Sequence, residues 1–471
     1  MSNYTLTLGL KTNKQNIKHI LKISNMACML YNATLNECLN RLERMRKDKL
    51  FKETILLDKN KFKKERQNNF KELNKKYGFS KFDIEKFAIK TKNDSKFIAY
   101  HLGTHACQKV AQRAFLAVQK KSFGLTKKVY FKNKKDFFSF EGKDNKSFLQ
   151  YSNGYVFLGN GKKNTQIIKC IIPSKNKYID YCLKNGKIKF CRIISKNIKG
   201  KDKYYIQLIM EGIPYQKVKM GQGRLCADIG PSTIATVTNN SVELREFCSK
   251  ILKTNKEKQK LQRKLNRQRR INNPFNYNDD NTIKPKKDLK NWVYSKNMIK
   301  TQNKLKYIDQ RISGQRKTEH GYYTNKILSK CDVFLTEKLN FKEFQKLWGK
   351  SIGKAAPSMF LGLVKKKLSY QNGIYIEFST YDTKLSSRCH CGIVKKKSLK
   401  ERRHICSCGA NIQRDIYSAF LGLYVYEDNG KFIVDMDKAK KDFPNLEKME
   451  QKLIKKLKNK KNKYPKSFGI I

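Results

Sequence analysis

The stretch LSSRCHCGIVKKKSLKERRHICSCGANIQRDIYSAF, Leu385 to Phe420, constrains the fold more than any other part of this chain. It holds two Cys-x-Cys pairs, Cys389/Cys391 and Cys406/Cys408, each followed by a glycine, Gly392 and Gly409, that frees the backbone to turn. Four thiolates on two such turns can converge on one tetrahedral Zn²⁺, so a ribbon over 389–408 is expected, with these cysteines as structural ligands. His390 and His404 lie beside the pairs, and imidazole can replace a thiolate. Four buried free cysteines are the bland alternative. A few residues on, Asp415 opens an amphipathic segment carrying Ile416, Ala419, Phe420 and Leu423. One stretch therefore offers a metal clip and a candidate catalytic carboxylate.

Charge narrows the partners. Lys+Arg 104 against Asp+Glu 39 leaves a formal +65 over 471 residues, far beyond what solubility requires, and points to a polyanion, nucleic acid first. A polybasic membrane-surface protein would concentrate this charge beside an apolar or lipidated anchor, whereas here it runs through the whole chain. The start, MSNYTLTLGLKTNK, has no signal-peptide pattern, and no run of about 18 apolar residues offers a span. The nine other cysteines are scattered, and the total of 13 is odd, which fits a reducing cytoplasm better than a disulfide scaffold.

Along the chain, Tyr4, Leu6, Leu8 and Leu10 alternate as a half-buried strand, and Thr12 to Gln15 reads as a capping box opening a helical region. No proline precedes Pro173, so helices can run unbroken over 13–121. From Val129 to Pro214 short β-like runs (VYF at 129, FFSF at 137, YVFLG at 155, IIKCIIP at 167, KIKFCRII at 187, YYIQLIM at 204) alternate with Asn, Gly and Lys turns, as in a small barrel or sandwich. Val242 to Gln315 reads as a long helical pair whose KLQRKLNRQRR segment suits backbone phosphates, and Lys438 to Lys463 as a mobile Lys-rich arm.

Three acids stand out. Asp228 interrupts the apolar run of RLCADIG, and a charge there is costly unless a metal or partner neutralises it. Glu337 ends the strand-like CDVFLTE, and Asp415 begins a helix. Neighbouring strands can bring such carboxylates together, and they are hard oxygen ligands for two Mg²⁺ or Mn²⁺ ions. Two ions about 4 Å apart would activate a water and stabilise the leaving 3′ oxygen of a phosphodiester.

ADIG with Asp228, TEKLN with Glu337, and CHCG…KERRHICSCG…QRDIYSAFLGL with Asp415 resemble the three RuvC motifs and inserted zinc ribbon of TnpB proteins. These are RNA-guided DNA endonucleases encoded by insertion sequences, related to compact type V CRISPR effectors. The start, YTLTLGLKTNKQNIKHIL, is similar to the family's, so the resemblance spans most of the chain. It implies an α+β multidomain protein. Its parts would be a wedge β-barrel (1–12 and 122–221), a helical recognition domain (13–121), an RNase H-like RuvC nuclease domain (222–388 and 409–437), the zinc ribbon (389–408) and a basic tail (438–471). It further implies guide RNA, double-stranded target DNA with a short flanking motif, a monomer in the cytoplasm, and Asp228, Glu337 and Asp415 as catalytic ligands. The chain departs from the pattern in its Cys-x-Cys spacing and in Lys338, where an acid often follows the Glu.

Two other readings compete. A DDE transposase uses similar metal chemistry, but its acids run Asp, Asp, Glu, and these run Asp, Glu, Asp. A nuclease-inactive RNA-guided DNA-binding repressor would have lost acids, and here all three stand.

Overall fold

The computed structural model describes residues 3–134, 136–161, 164–398, 400–459, 464–465 and 468–469. The chain forms two compact units, Met1–Tyr215 and Gln216–Ile471.

In the first unit, β1 (Asn3–Lys11) buries Tyr4, Leu6, Leu8 and Leu10 on one face and leads into α1 (Lys14–Lys47). The capping box sits one residue later than the sequence suggests. Asn13 accepts from the Asn16 amide at 2.8 Å and Asn16 from the Asn13 amide at 3.2 Å, a role in which Asn matches Thr. The helices α2 (Lys49–Leu56), α3 (Lys63–Lys76), α4 (Lys81–Asn93), α5 (Lys96–His101) and α6 (Thr104–Ser122) follow, as expected of a proline-free stretch. Then come β2 (Phe140–Glu141), β3 (Leu149–Ser152), β4 (Tyr155–Leu158), β5 (Gln166–Ile171), α7 (Lys177–Asn185), β6 (Lys187–Ile198) and β7 (Lys201–Glu211). The VYF run at 129 forms no strand. The seven strands order β2-β6-β7-β1-β5-β4-β3, with β3 returning against β6, so the sheet curls into a nearly closed barrel. Barrel and helices share one hydrophobic core, which joins Leu6 and Ile206 to Leu30 and Ala114.

In the second unit a five-stranded sheet orders β10-β9-β8-β11-β12. Its strands are β8 (Arg224–Ile229), β9 (Thr233–Thr238), β10 (Ser241–Glu246), β11 (Val333–Glu337) and β12 (Ile374–Phe378). The first three form an antiparallel meander, and β8, β11 and β12 run parallel. Between β10 and β11 lie α8 (Ile251–Asn272) and α9 (Lys296–Leu328); α10 (Phe341–Ala355) and α11 (Pro357–Ser369) precede β12. The helical pair expected from Val242 thus begins later. Val242 to Glu246 instead pairs with β9 across the Asn239-Asn240 turn, where cross-strand hydrogen bonds outweigh a helical pattern carried by few residues.

After β12 come the short α12 (Thr380–Thr383), the ribbon hairpin β13 (Arg403–Ile405) and β14 (Asn411–Gln413), and α13 (Arg414–Leu423). The unit then continues through the hairpin β15 (Val425–Asp428) and β16 (Lys431–Val434) to α14 (Met436–Lys458). The mobile arm expected from Lys438 is therefore a folded helix. Ala439, Phe443, Leu446 and Glu450 recur at steps of three and four and are buried, while most of the lysines between them stay exposed. Residues 460–463 lie outside the described residues.

Candidate functional site

Strand alternation aims the first two acids. Leu225, Ala227 and Ile229 of β8 join Phe334 of β11 in the core shared with α9 and α11. Cys226 and Leu335 join the opposite core, shared with α13 and α14, so Asp228 and Glu337, two residues further along their strands, project to that same face. The parallel register pairs Ala227 with Thr336, which sets Asp228 beside Glu337 on adjacent strands. Thr336 fixes this edge by donating its hydroxyl to the Ala227 carbonyl at 3.0 Å.

The third acid arrives on α13. Gln413 caps this helix, its side chain accepting from the Ile416 amide at 2.7 Å, so Asp415 lies in the first turn. Gly422 lets α13 approach β8 closely, because a Cβ there would collide with the Cys226 sulfur. Asp228, Glu337 and Asp415 thereby line one cavity of about 590 Å³. Arg414 joins them, its Nε 3.5 Å from Asp415 Oδ1. Burial, together with the carboxylates of Asp415 and Glu337, raises the Asp228 carboxyl well above its usual range, Arg414 only partly offsetting this. Burial raises Glu337 to about 7. The three carboxylates crowd one another in a buried place, and their hard oxygen donors are suited to Mg²⁺ or Mn²⁺. A separate cluster brings four cysteine sulfurs within 4.8 Å of one another.

That quartet is Cys389, Cys391, Cys406 and Cys408. Cys389 and Cys408 are 3.5 Å apart and Cys391 and Cys406 3.6 Å, far longer than a disulfide and close to the roughly 3.8 Å edge of a tetrahedron with 2.3 Å Zn–S bonds. Gly392 and Gly409 adopt φ 93° and 92°, the left-handed conformation that each turn requires. The backbone amide of Cys408, ahead of the other thiols, brings Cys406 down to about 6, favouring the thiolate. The four sulfurs therefore fit a structural zinc. His390 borders the set, its Nε2 3.9 Å from Cys408 Sγ. His390 Nδ1 is 2.9 Å from the Tyr417 hydroxyl, and the His404 ring lies tilted against that of Tyr417 at 4.2 Å while its Nδ1 meets Lys397 Nζ. Burial, then the Lys397 charge, lowers His404 to about 4, so it stays neutral.

Two contributors were not read from the sequence. Glu450 of α14, almost fully buried, accepts from the Gln413 amide at 2.7 Å and pairs with Arg403 of the ribbon at 3.4 Å, tying tail, ribbon and the α13 cap together. Phe344 and Trp348 of α10 line the acid cavity. Helical spacing four apart was the available signal for the second pair.

Fold and site together define a carboxylate-lined cavity on a mixed sheet, built beside a four-thiol clip. No protein-family profile matches the chain, and no curated protein does. Among solved structures it is similar to a Cas12f1–sgRNA–target DNA complex determined by cryo-EM, with TM-score 0.54 and 10% identity over 86% of this chain and 82% of that one. A CRISPR-Cas12f ternary complex also matches, at TM-score 0.28 and 11% identity, too loosely to carry an argument. The first likeness is one of fold, and at that level it agrees with the resemblance to TnpB and its compact relatives. Among the described residues no helix is long and apolar enough to cross a membrane.

Proposed function

We propose that this chain is an RNA-guided DNA endonuclease of the TnpB and Cas12f kind, transposon-associated, hydrolysing target DNA at Asp228, Glu337 and Asp415. The observation that carries the reading is the convergence of these acids, from two neighbouring strands and a helix start, in one cavity. The three carboxylates would hold two Mg²⁺ ions, which when bound supply Lewis-acid stabilisation and a water of lowered pKa. Asp228 and Glu337, lifted by burial, gain most from a cation, and Arg414 steadies Asp415. The thiol quartet would hold structural Zn²⁺, keeping the ribbon folded just ahead of Asp415.

Guide RNA and double-stranded DNA are the proposed partners, as in the Cas12f1 complex to which the fold is similar. A formal +65 can hold an RNA scaffold and a heteroduplex through their backbones, and such contacts carry no sequence information. Base pairing then selects the target, the protein reading only a short flanking motif.

The test uses two plasmids that differ only in target sequence, each cut with matched and mismatched guide RNAs. Matched cutting alone is expected, and Asp228→Ala, Glu337→Ala or Asp415→Ala should abolish it while RNA and DNA binding persist. Cutting regardless of guide would sink the RNA-guided reading. Guide-dependent binding without cutting in Mg²⁺ would favour the repressor.

A further inference from the structure

The helix that follows Glu337 carries more aromatic surface than its packing uses. In α10 only Ile352 and Ala355 are buried. Leu347 is 73% exposed, and Phe344 and Trp348 are half-buried and belong to none of the hydrophobic clusters among the described residues. The helix breaks at Trp348, whose φ −125° and ψ 37° are not helical. Phe344 and Trp348 meet edge to face at 5.5 Å and 87°, and both line the cavity of the three acids. The ribbon contributes Lys397, Lys400 and Arg402 to that same cavity. One space therefore presents aromatic rings, cations and a carboxylate cluster.

These three surfaces match the three parts of an unpaired nucleotide strand. Phosphates suit the lysines and arginines, the scissile phosphate suits cations held by the acids, and exposed base faces suit the rings. A base inside a duplex keeps its faces stacked on its neighbours, so an aromatic seat favours a single strand. We propose that Phe344 and Trp348 form a stacking seat for unpaired bases that holds the scissile strand over Asp228, Glu337 and Asp415. Both are positioning residues, and the assignment rests on the nuclease reading above.

The chain has two tryptophans, so in a Trp292→Phe background the emission of Trp348 reports on the seat alone. Full-length protein in EDTA is titrated with a short single-stranded DNA oligonucleotide and with an abasic oligonucleotide of equal length and charge. The base-bearing strand should quench Trp348 and the abasic strand should not, although both bind through phosphates. With a matched guide, Trp348→Ala should slow single-turnover cleavage about 5- to 150-fold, the range for one lost base–aromatic stack, at unchanged guide-RNA affinity. Trp348→Phe should recover most of that rate. On a substrate abasic beside the cleaved bond, wild type and Trp348→Ala should cut alike. Equal or absent quenching by both oligonucleotides, or full-rate cleavage by Trp348→Ala, overturns the seat. If no guide supports cutting, the nuclease reading falls, and the quenching contrast still decides the seat.

Discussion

Glu337 sits where an ionised carboxylate is disfavoured without metal, and replacing it by Gln should stabilise the metal-free protein. Burial raises this group from 4.5 to about 7. At about 1.4 kcal/mol per tenfold change in proton affinity, that rise corresponds to about 3 kcal/mol. The folded carboxyl binds its proton more tightly than the unfolded one, so stability falls as pH rises from about 4.5 to about 7 and stays lower above. Glu337→Gln is neutral at every pH, and it also removes one charge beside Asp228. In EDTA at pH 8 the variant's second unit should melt about 6–12 °C above wild type, at about 2–4 °C per kcal/mol for a unit of this size. The gap should nearly close at pH 4.5. Adding Mg²⁺ at pH 8 should raise the wild-type transition and barely move the variant, which has lost a ligand. Differential scanning calorimetry across these conditions makes the check. A variant no more stable than wild type in EDTA at pH 8, or a gap that ignores pH, would refute the reasoning.

One zinc per chain is expected by elemental analysis of tag-free protein, and Cys389→Ser or Cys406→Ser should lose both zinc and cleavage; zinc-free wild type would remove the claim. Leu446→Ala, which opens a cavity beneath α14, should cost about 2–5 kcal/mol of stability in denaturant titrations. A change near zero would return α14 to the mobile arm suggested by its lysines.

What could be read in advance was chemistry that local context makes costly. An Asp in an apolar strand, a Glu closing another, and paired cysteines before glycines stand out because each violates or specialises its surroundings, and the structure brings the acids into one cavity and the thiols into one cluster. The rest depended on contacts distant in sequence. Ser241–Glu246 is a strand because β9 is there to pair with it. The apolar stripe of α14 is one residue per turn among lysines, too thin to be seen until α13 supplies the other half of the core. Nothing local marks Phe344 and Trp348, and only their absence from every described cluster sets them apart.

Glu450 touches none of the three acids, yet it holds the Gln413 amide, two residues before Asp415, and the ribbon's Arg403. A saturation screen scored on cutting alone would therefore rank Glu450 beside Asp228 and Glu337 and mistake a hinge pin for a blade. Scoring the same library for protein abundance and bound zinc would separate the two, because losing an acid blunts a well-folded protein whereas losing Glu450 loosens the joint on which the third acid is mounted.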